Sequence, residues 1–213
     1  MKSLRARILT FFTICLLGTL LDLGTKSWIF HRLGFPGEQG VWWLIPDIFG
    51  FQTSLNQGAL FGMGQGQIAL FVSLSFFALI GIFLMLVFDK QKSLFFAFVL
   101  GLICAGIAGN LWDRLGLHEM NWPVFAGLTQ QCSPDLVGKP IHAVRDWILV
   151  MIGPHPWPNF NLADSFLVSG AILLGIYSFF GSSEETADGS TKKDPGNSTS
   201  LPSSSESEEA KRQ

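Results

Sequence analysis

Two carboxylates lie where charge is costly. Asp146 sits in the apolar run AVRDWILV beside Trp147, and Asp164 heads a long uncharged stretch within NFNLADSFLVSGAILLGIYSFF. In such surroundings an ionised carboxylate must be paired or partly neutralised. Eighteen residues separate the two (164 − 146), few enough for the chain to fold back and bring them together. Two acids held close at a poorly hydrated interface cannot both ionise cheaply. They share a proton and titrate as a unit, one serving as base and the other as acid. Asp164 also has a simpler reading, because N-L-A-D from Asn161 approaches a capping box at a helix start.

The other polar residues beside apolar runs also have two readings. In GIAGNLWDRL, Asn110, Asp113 and Arg114 can share one helix face, though Asp113 with Arg114 or with a lipid phosphate would make an ordinary helix-end ion pair. Asp22 and Lys26 in LDLGTKSW have the i, i+4 order of a stabilising pair. In LNQGALFGMG, Asn56 supplies an amide near the membrane surface and Gly58 begins a glycine series that a tight turn would also explain. Arg145 reads as a solvent-side neighbour of Asp146. The four histidines (31, 118, 142 and 155) have no metal-ligand spacing. Three scattered cysteines (15, 104 and 132) read as buried or idle thiols, and neither a phosphate loop nor a G-x-S-x-G elbow occurs.

The elements that must position these residues are membrane spans. The 213 residues are 48% apolar with 20 Phe and only 14% charged, and the apolar residues come in blocks. Lys and Arg (14) nearly balance Asp and Glu (16), which gives no charge for nucleic acid. The first block resembles a secretory signal, but it continues into DLGTKSWIF without a cleavage site and further apolar runs follow, so it reads as a retained span. The expected fold class is membrane all-α, with four transmembrane helices at about 8–30, 68–88, 94–111 and 163–180 and, on the outer face, a small β-rich element and a loop insertion. The run 68–88 is 21 residues long, about 31 Å as a helix and enough for the hydrocarbon core. Gly101, Ala105 and Gly109 form a small-residue stripe suited to close helix packing. Between spans one and two, IFGFQTSLN alternates at period two, as a strand does. Residues 1–180 then form one domain, and 181–213 form a Ser/Glu-rich tail expected to be disordered and cytoplasmic. Lys2, Arg5, Arg7, Lys90 and Lys92 mark one side as cytoplasmic and put both termini there. The long loops and all seven Trp then lie outside.

In their order, LDLGTKSW, LNQGALFGM, AGIAGNLWDRL, AVRDWI and FNLADS resemble the lipoprotein signal peptidase family, signal peptidase II, over about residues 8–180. The resemblance implies an integral-membrane aspartic endopeptidase of the bacterial inner membrane, acting at its outer, periplasmic face. Its substrate would be a lipid-modified prolipoprotein, cut just before the Cys that carries a diacylglyceryl group. It implies Asp146 and Asp164 as the catalytic pair. Asn56, Gly58, Asn110, Arg114, Asn161 and Ala163 would line or support the site, and Asp22 and Lys26 would be structural. In that mechanism a water between the carboxylates attacks the scissile carbonyl, while Arg114 and the amides of Asn56 and Asn110 position the substrate backbone. No cofactor, metal or nucleic acid is expected; the partners are the substrate and membrane lipids, and the enzyme acts as a monomer. Leu60 and Trp147 depart mildly from the family pattern, and about 115–141 looks like an insertion in the outer loop. Two rivals remain: a transporter or proton-coupled channel, whose acids should lie mid-span, and a non-catalytic scaffold that presents the insertion.

Overall fold

All four apolar runs become helices in the computed structural model, which describes residues 4–58, 64–88, 93–123 and 136–188. Lys2, Leu60, Lys90, Lys92, Cys132, the middle of the insertion and the tail beyond Asp188 lie outside those residues. The helices are α1 (Leu4–Leu33), α2 (Ile68–Phe88), α3 (Leu94–Arg114) and α4 (Leu162–Asp188). Each is long and apolar enough to cross a membrane. Ser93 caps α3, its side chain accepting from the Phe96 amide. Arg7, buried near the start of α1, donates to the Leu86 carbonyl in the last turn of α2.

The helices run further than the sequence indicates. Helix α1 covers 30 residues, so Asp22 lies eleven residues before its end (33 − 22), about 16 Å, and not at the end itself. Helix α4 runs on through Asp188, so the expected tail begins as helix. Glu184, Glu185 and Ala187 are good helix formers, and extending an existing helix costs far less than nucleating one. Residues 1–177 form one compact unit, and Ser178–Gln213 belong to a second.

Helix α3 is the most enclosed span, and small residues let its neighbours approach it. A Cβ on Gly18 would stand 2.7 Å from the Ala105 Cβ, and one on Gly101 would stand 3.0 Å from the Ile14 Cβ and the Phe11 carbonyl. The small-residue stripe of α3 is therefore its seam with α1.

A four-stranded antiparallel sheet of order β1-β2-β3-β4 stands beside the helix ends, built from Trp42–Ile45, Phe49–Asn56, Val144–Ile152 and His155–Pro156. Only β2 matches the expected strand; β1 falls in a stretch read as loop, and β3 in a run read simply as apolar. Strand β3 is buried on both faces through Leu149, so its sequence lacks the alternation that marks a half-exposed strand. After Gly153, at φ 61°, the chain returns along β3. Trp157 donates to the Val150 carbonyl at 2.8 Å, and Phe160 and Ile148 exchange bonds of 3.2 and 2.8 Å. The stems of the insertion pair with each other through Trp122, Gly138, Lys139, Met120 and Ile141. They bury Trp122 and Ile141 in a core with Ile29, Leu55 and Trp147, so the ends of the insertion belong to the fold.

Candidate active site

The return strand fixes where α4 begins. Because Phe160 is bonded to Ile148, Asn161 falls beside Asp146, two residues back along β3. Asn161 is the cap of α4, and the capping box is reciprocal. Its Oδ1 accepts from the Asp164 amide at 3.0 Å, and its own amide donates to Asp164 Oδ2 at 3.3 Å. The simpler reading of Asp164 is thus correct as geometry, and it does not compete with the other. The same contacts hold the carboxylate in place and leave Oδ1 facing Asn110, whose Nδ2 donates to it at 2.7 Å.

Asp146 is buried at 2% exposure and accepts from two amides, Asn161 Nδ2 at 2.6 Å and Asn56 Nδ2 at 3.2 Å. Asn56 reaches it diagonally across the β2–β3 pair, where Ser54 stands opposite Asp146 and a bulge between Phe51 and Ser54 resets the register. Both amides are oriented by backbone: Asn161 Oδ1 by the Asp164 N–H, and Asn56 Oδ1 by the Gly58 N–H at 3.0 Å. Their N–H groups therefore face Asp146. Burial, followed by the charge of Asp164, pushes the Asp146 carboxyl up to about 8, against the Asn161 and Asn56 hydrogen bonds that favour its ionised form. At neutral pH Asp146 holds a proton.

Beneath the carboxylates lies a buried ionic cluster. Lys26 Nζ contacts Asp22 Oδ2 at 2.7 Å, Asp113 Oδ2 at 3.2 Å and Asn110 Oδ1 at 3.0 Å. The Lys26 contact orients the Asn110 amide toward Asp164. Asp22 Oδ1 accepts from the Ala163 amide at 2.9 Å, satisfying a free N–H in the first turn of α4. Gly109 must be small here, because a Cβ on it would crowd the Asp22 carboxylate and stand 3.2 Å from the Ala163 Cβ. Breaking one partner out of such a buried network costs about 3–5 kcal/mol, so Asp22 and Lys26 are fixtures of the helix junction and not a surface pair. At the rim, Arg114 Nη2 donates to the Gly58 carbonyl at 3.1 Å and its guanidinium lies 5.1 Å from the Phe71 ring centroid.

The structure thus brings together all ten residues singled out by sequence: Asp22, Lys26, Asn56, Gly58, Asn110, Arg114, Asp146, Asn161, Ala163 and Asp164. Two readings need correction. The Asn56 and Asn110 amides are directed at the carboxylates, so they position the acids before any substrate. Asp113 pairs with Arg145, Nη2 to Oδ1 at 2.9 Å, and not with Arg114; Arg145, read as a solvent-side neighbour of Asp146, is buried at 3% exposure. The only sequence sign of this pair was Arg145 itself, an arginine inside an apolar run. Among the described residues no cluster of three or more metal-ligating side chains occurs.

Known proteins resemble this chain in sequence and in fold. The family described as signal peptidase (SPase) II matches residues 14–180. A lipoprotein signal peptidase of Rhodopirellula baltica is 43% identical over 175 residues, covering 81% of this chain and 73% of that one. One from Streptomyces coelicolor is 33% identical, over 83% and 74% of the two chains. A solved structure described as a bacterial membrane enzyme superposes with a TM-score of 0.60 at 26% identity, covering 88% of this chain and 94% of that one.

Proposed function

Because this chain belongs to the signal peptidase II family of membrane aspartic proteases, which cleave signal peptides from prolipoproteins, we propose that Asp146 and Asp164 are its catalytic pair. The observation that carries the proposal is that Asn161 joins the two, donating to Asp146 at 2.6 Å while capping and being capped by Asp164. Membership also weighs against the transporter and scaffold readings.

Asp164 takes a proton from a water between the carboxylates, and the resulting hydroxyl adds to the scissile carbonyl carbon. Asp146 gives its proton to the carbonyl oxygen. In collapse, Asp164 protonates the leaving amine and Asp146 recovers a proton from the tetrahedral diol, which restores both acids. The Asn161 and Asn56 amides hold Asp146 as it passes through its charged form, and Arg114 lines the rim where the substrate backbone enters. The substrate is a prolipoprotein whose Cys carries a diacylglyceryl group, with the cut just before that Cys. Its signal helix and acyl chains lie among the apolar spans, so the bond to be cut sits at the height of the pair. The site faces outward from the bacterial inner membrane, both termini are cytoplasmic, and the enzyme acts as a monomer, since one chain supplies every group in the cluster.

Asp146→Asn and Asp164→Asn keep the shape of the site and remove, respectively, the proton donor and the base. Each should abolish cleavage of a diacylglyceryl-modified prolipoprotein in a purified assay while the protein remains folded. Cleavage retained by either variant would overturn the assignment.

A further inference from the structure

The strand that carries Asp146 has no short covalent tie to the helix that carries Asn110 and Arg114. Between Arg114 and Val144 lie 29 residues (144 − 114 − 1), closed in part by the paired stems of the insertion, so no short covalent link sets Asp146 against α3. Arg145 makes the join instead. Its Nε and Nη2 both donate to Asp113 Oδ1, at 3.0 and 2.9 Å, and its backbone N–H donates to Asp113 Oδ2 at 3.0 Å. Its Nη1 reaches Ser27 Oγ on α1 at 3.3 Å. Asp113 is held in turn by Lys26, the residue that orients Asn110 toward Asp164. One buried side chain next to Asp146 therefore ties β3 to α3 and α1.

We propose that Arg145 is a positioning residue for the reaction, a clamp that sets Asp146 against Asn161 and Asp164 by gripping Asp113. This rests on reading Asp146 and Asp164 as the catalytic pair. A planar fork is the group that can bind one carboxylate oxygen twice while the adjoining backbone N–H binds the other. Pairing with β2 and with Phe160 holds β3 in its sheet, and the grip on Asp113 sets that sheet against α3. Small displacements matter here, since about 1 Å of misplacement costs up to about 100-fold in rate.

The charged groups around the clamp are known on each side. Asp146 is faced by Asp164 from α4, Lys26 from α1 and Arg114 from α3, and Arg145 by Asp113 from α3 and by His118, with His142 beyond it, from the loop. Burial is the main reason that Asp146 keeps its proton to about pH 8. A loosened β3 admits water, lowers that value and brings the alkaline fall of activity to lower pH.

The test uses the full chain with a diacylglyceryl-modified prolipoprotein. Arg145→Met should lower kcat by about 10- to 100-fold with KM changed less than about twofold, and should move the alkaline limb of the pH profile downward. Arg145→Lys, which keeps the charge but lacks the fork, should restore part of kcat and part of the limb. Unchanged kcat, or a loss confined to the yield of folded protein with the limb in place, would overturn the clamp. If Arg145→Met does not fold, Arg145→Lys decides alone: a limb at the wild-type position overturns the proposal. Asp146→Asn is run alongside; cleavage by that variant would instead overturn the catalytic pair on which the clamp rests.

Discussion

At the scale of single residues the site separates two acids by environment. Asp146 is enclosed by β2, β3 and the cap of α4, while Asp164 is partly exposed at a helix start. In the proposed mechanism Asp146 is the proton donor, in keeping with the burial that raises its carboxyl. Activity should fall as pH rises through about 8, because Asp146 then loses the proton it must give to the carbonyl oxygen. Asn56 donates to Asp146 Oδ2 and so favours its ionised form. Asn56→Leu, which removes the donor but keeps the site dry, should therefore move that limb to higher pH; a profile of kcat/KM against pH reads the direction, and a downward shift would contradict the geometry. Both acids were legible in the sequence, since each is a carboxylate where carboxylates are costly. Arg145 gave the same kind of sign. Its partner, 32 residues earlier across the long connection, could not be read from either local motif.

At the scale of elements, helices were easier to read than strands, for a physical reason. A span announces itself by apolar length alone, whereas β3 is defined by pairing with β2, 92 residues away at Ser54 and Asp146 (146 − 54), and with the return through Phe160. The small-residue stripe of α3 was visible as spacing, but not what it approaches. At Gly109 it approaches the Asp22 carboxylate and Ala163, so the close fit lies under the site. Gly109→Ala should force α1, α3 and α4 apart, lowering stability by about 1–3 kcal/mol and cutting activity. Gly81→Ala in α2, with nothing within 4 Å of the new methyl, should leave activity intact. Thermal unfolding in detergent together with cleavage rates distinguishes the two; equal behaviour would mean that the seam tolerates an extra methyl group.

At the scale of the whole molecule, the site lies at one end of the bundle. The C-terminal half of α1, the last turns of α3 and the first turn of α4 converge on it, with Asp22, Asn110 and Asp164 as their contributions. Exposed Trp28, Trp42, Trp112 and Trp157 lie in the segments at that end, as suits a belt at a membrane–water boundary. Arg5 and Arg7 begin α1 at its other end, and basic residues next to a span favour the cytoplasm. With Cys132 replaced by Ser, a cysteine at Gly40, exposed after α1, should react with a membrane-impermeant maleimide in intact spheroplasts. A cysteine at Leu4, 50% exposed at the start of α1, should react only after lysis; Cys15 and Cys104 lie within the spans and provide the background. The reverse pattern would turn the carboxylate pair toward the cytoplasm, where prolipoproteins already moved across the membrane could not reach it.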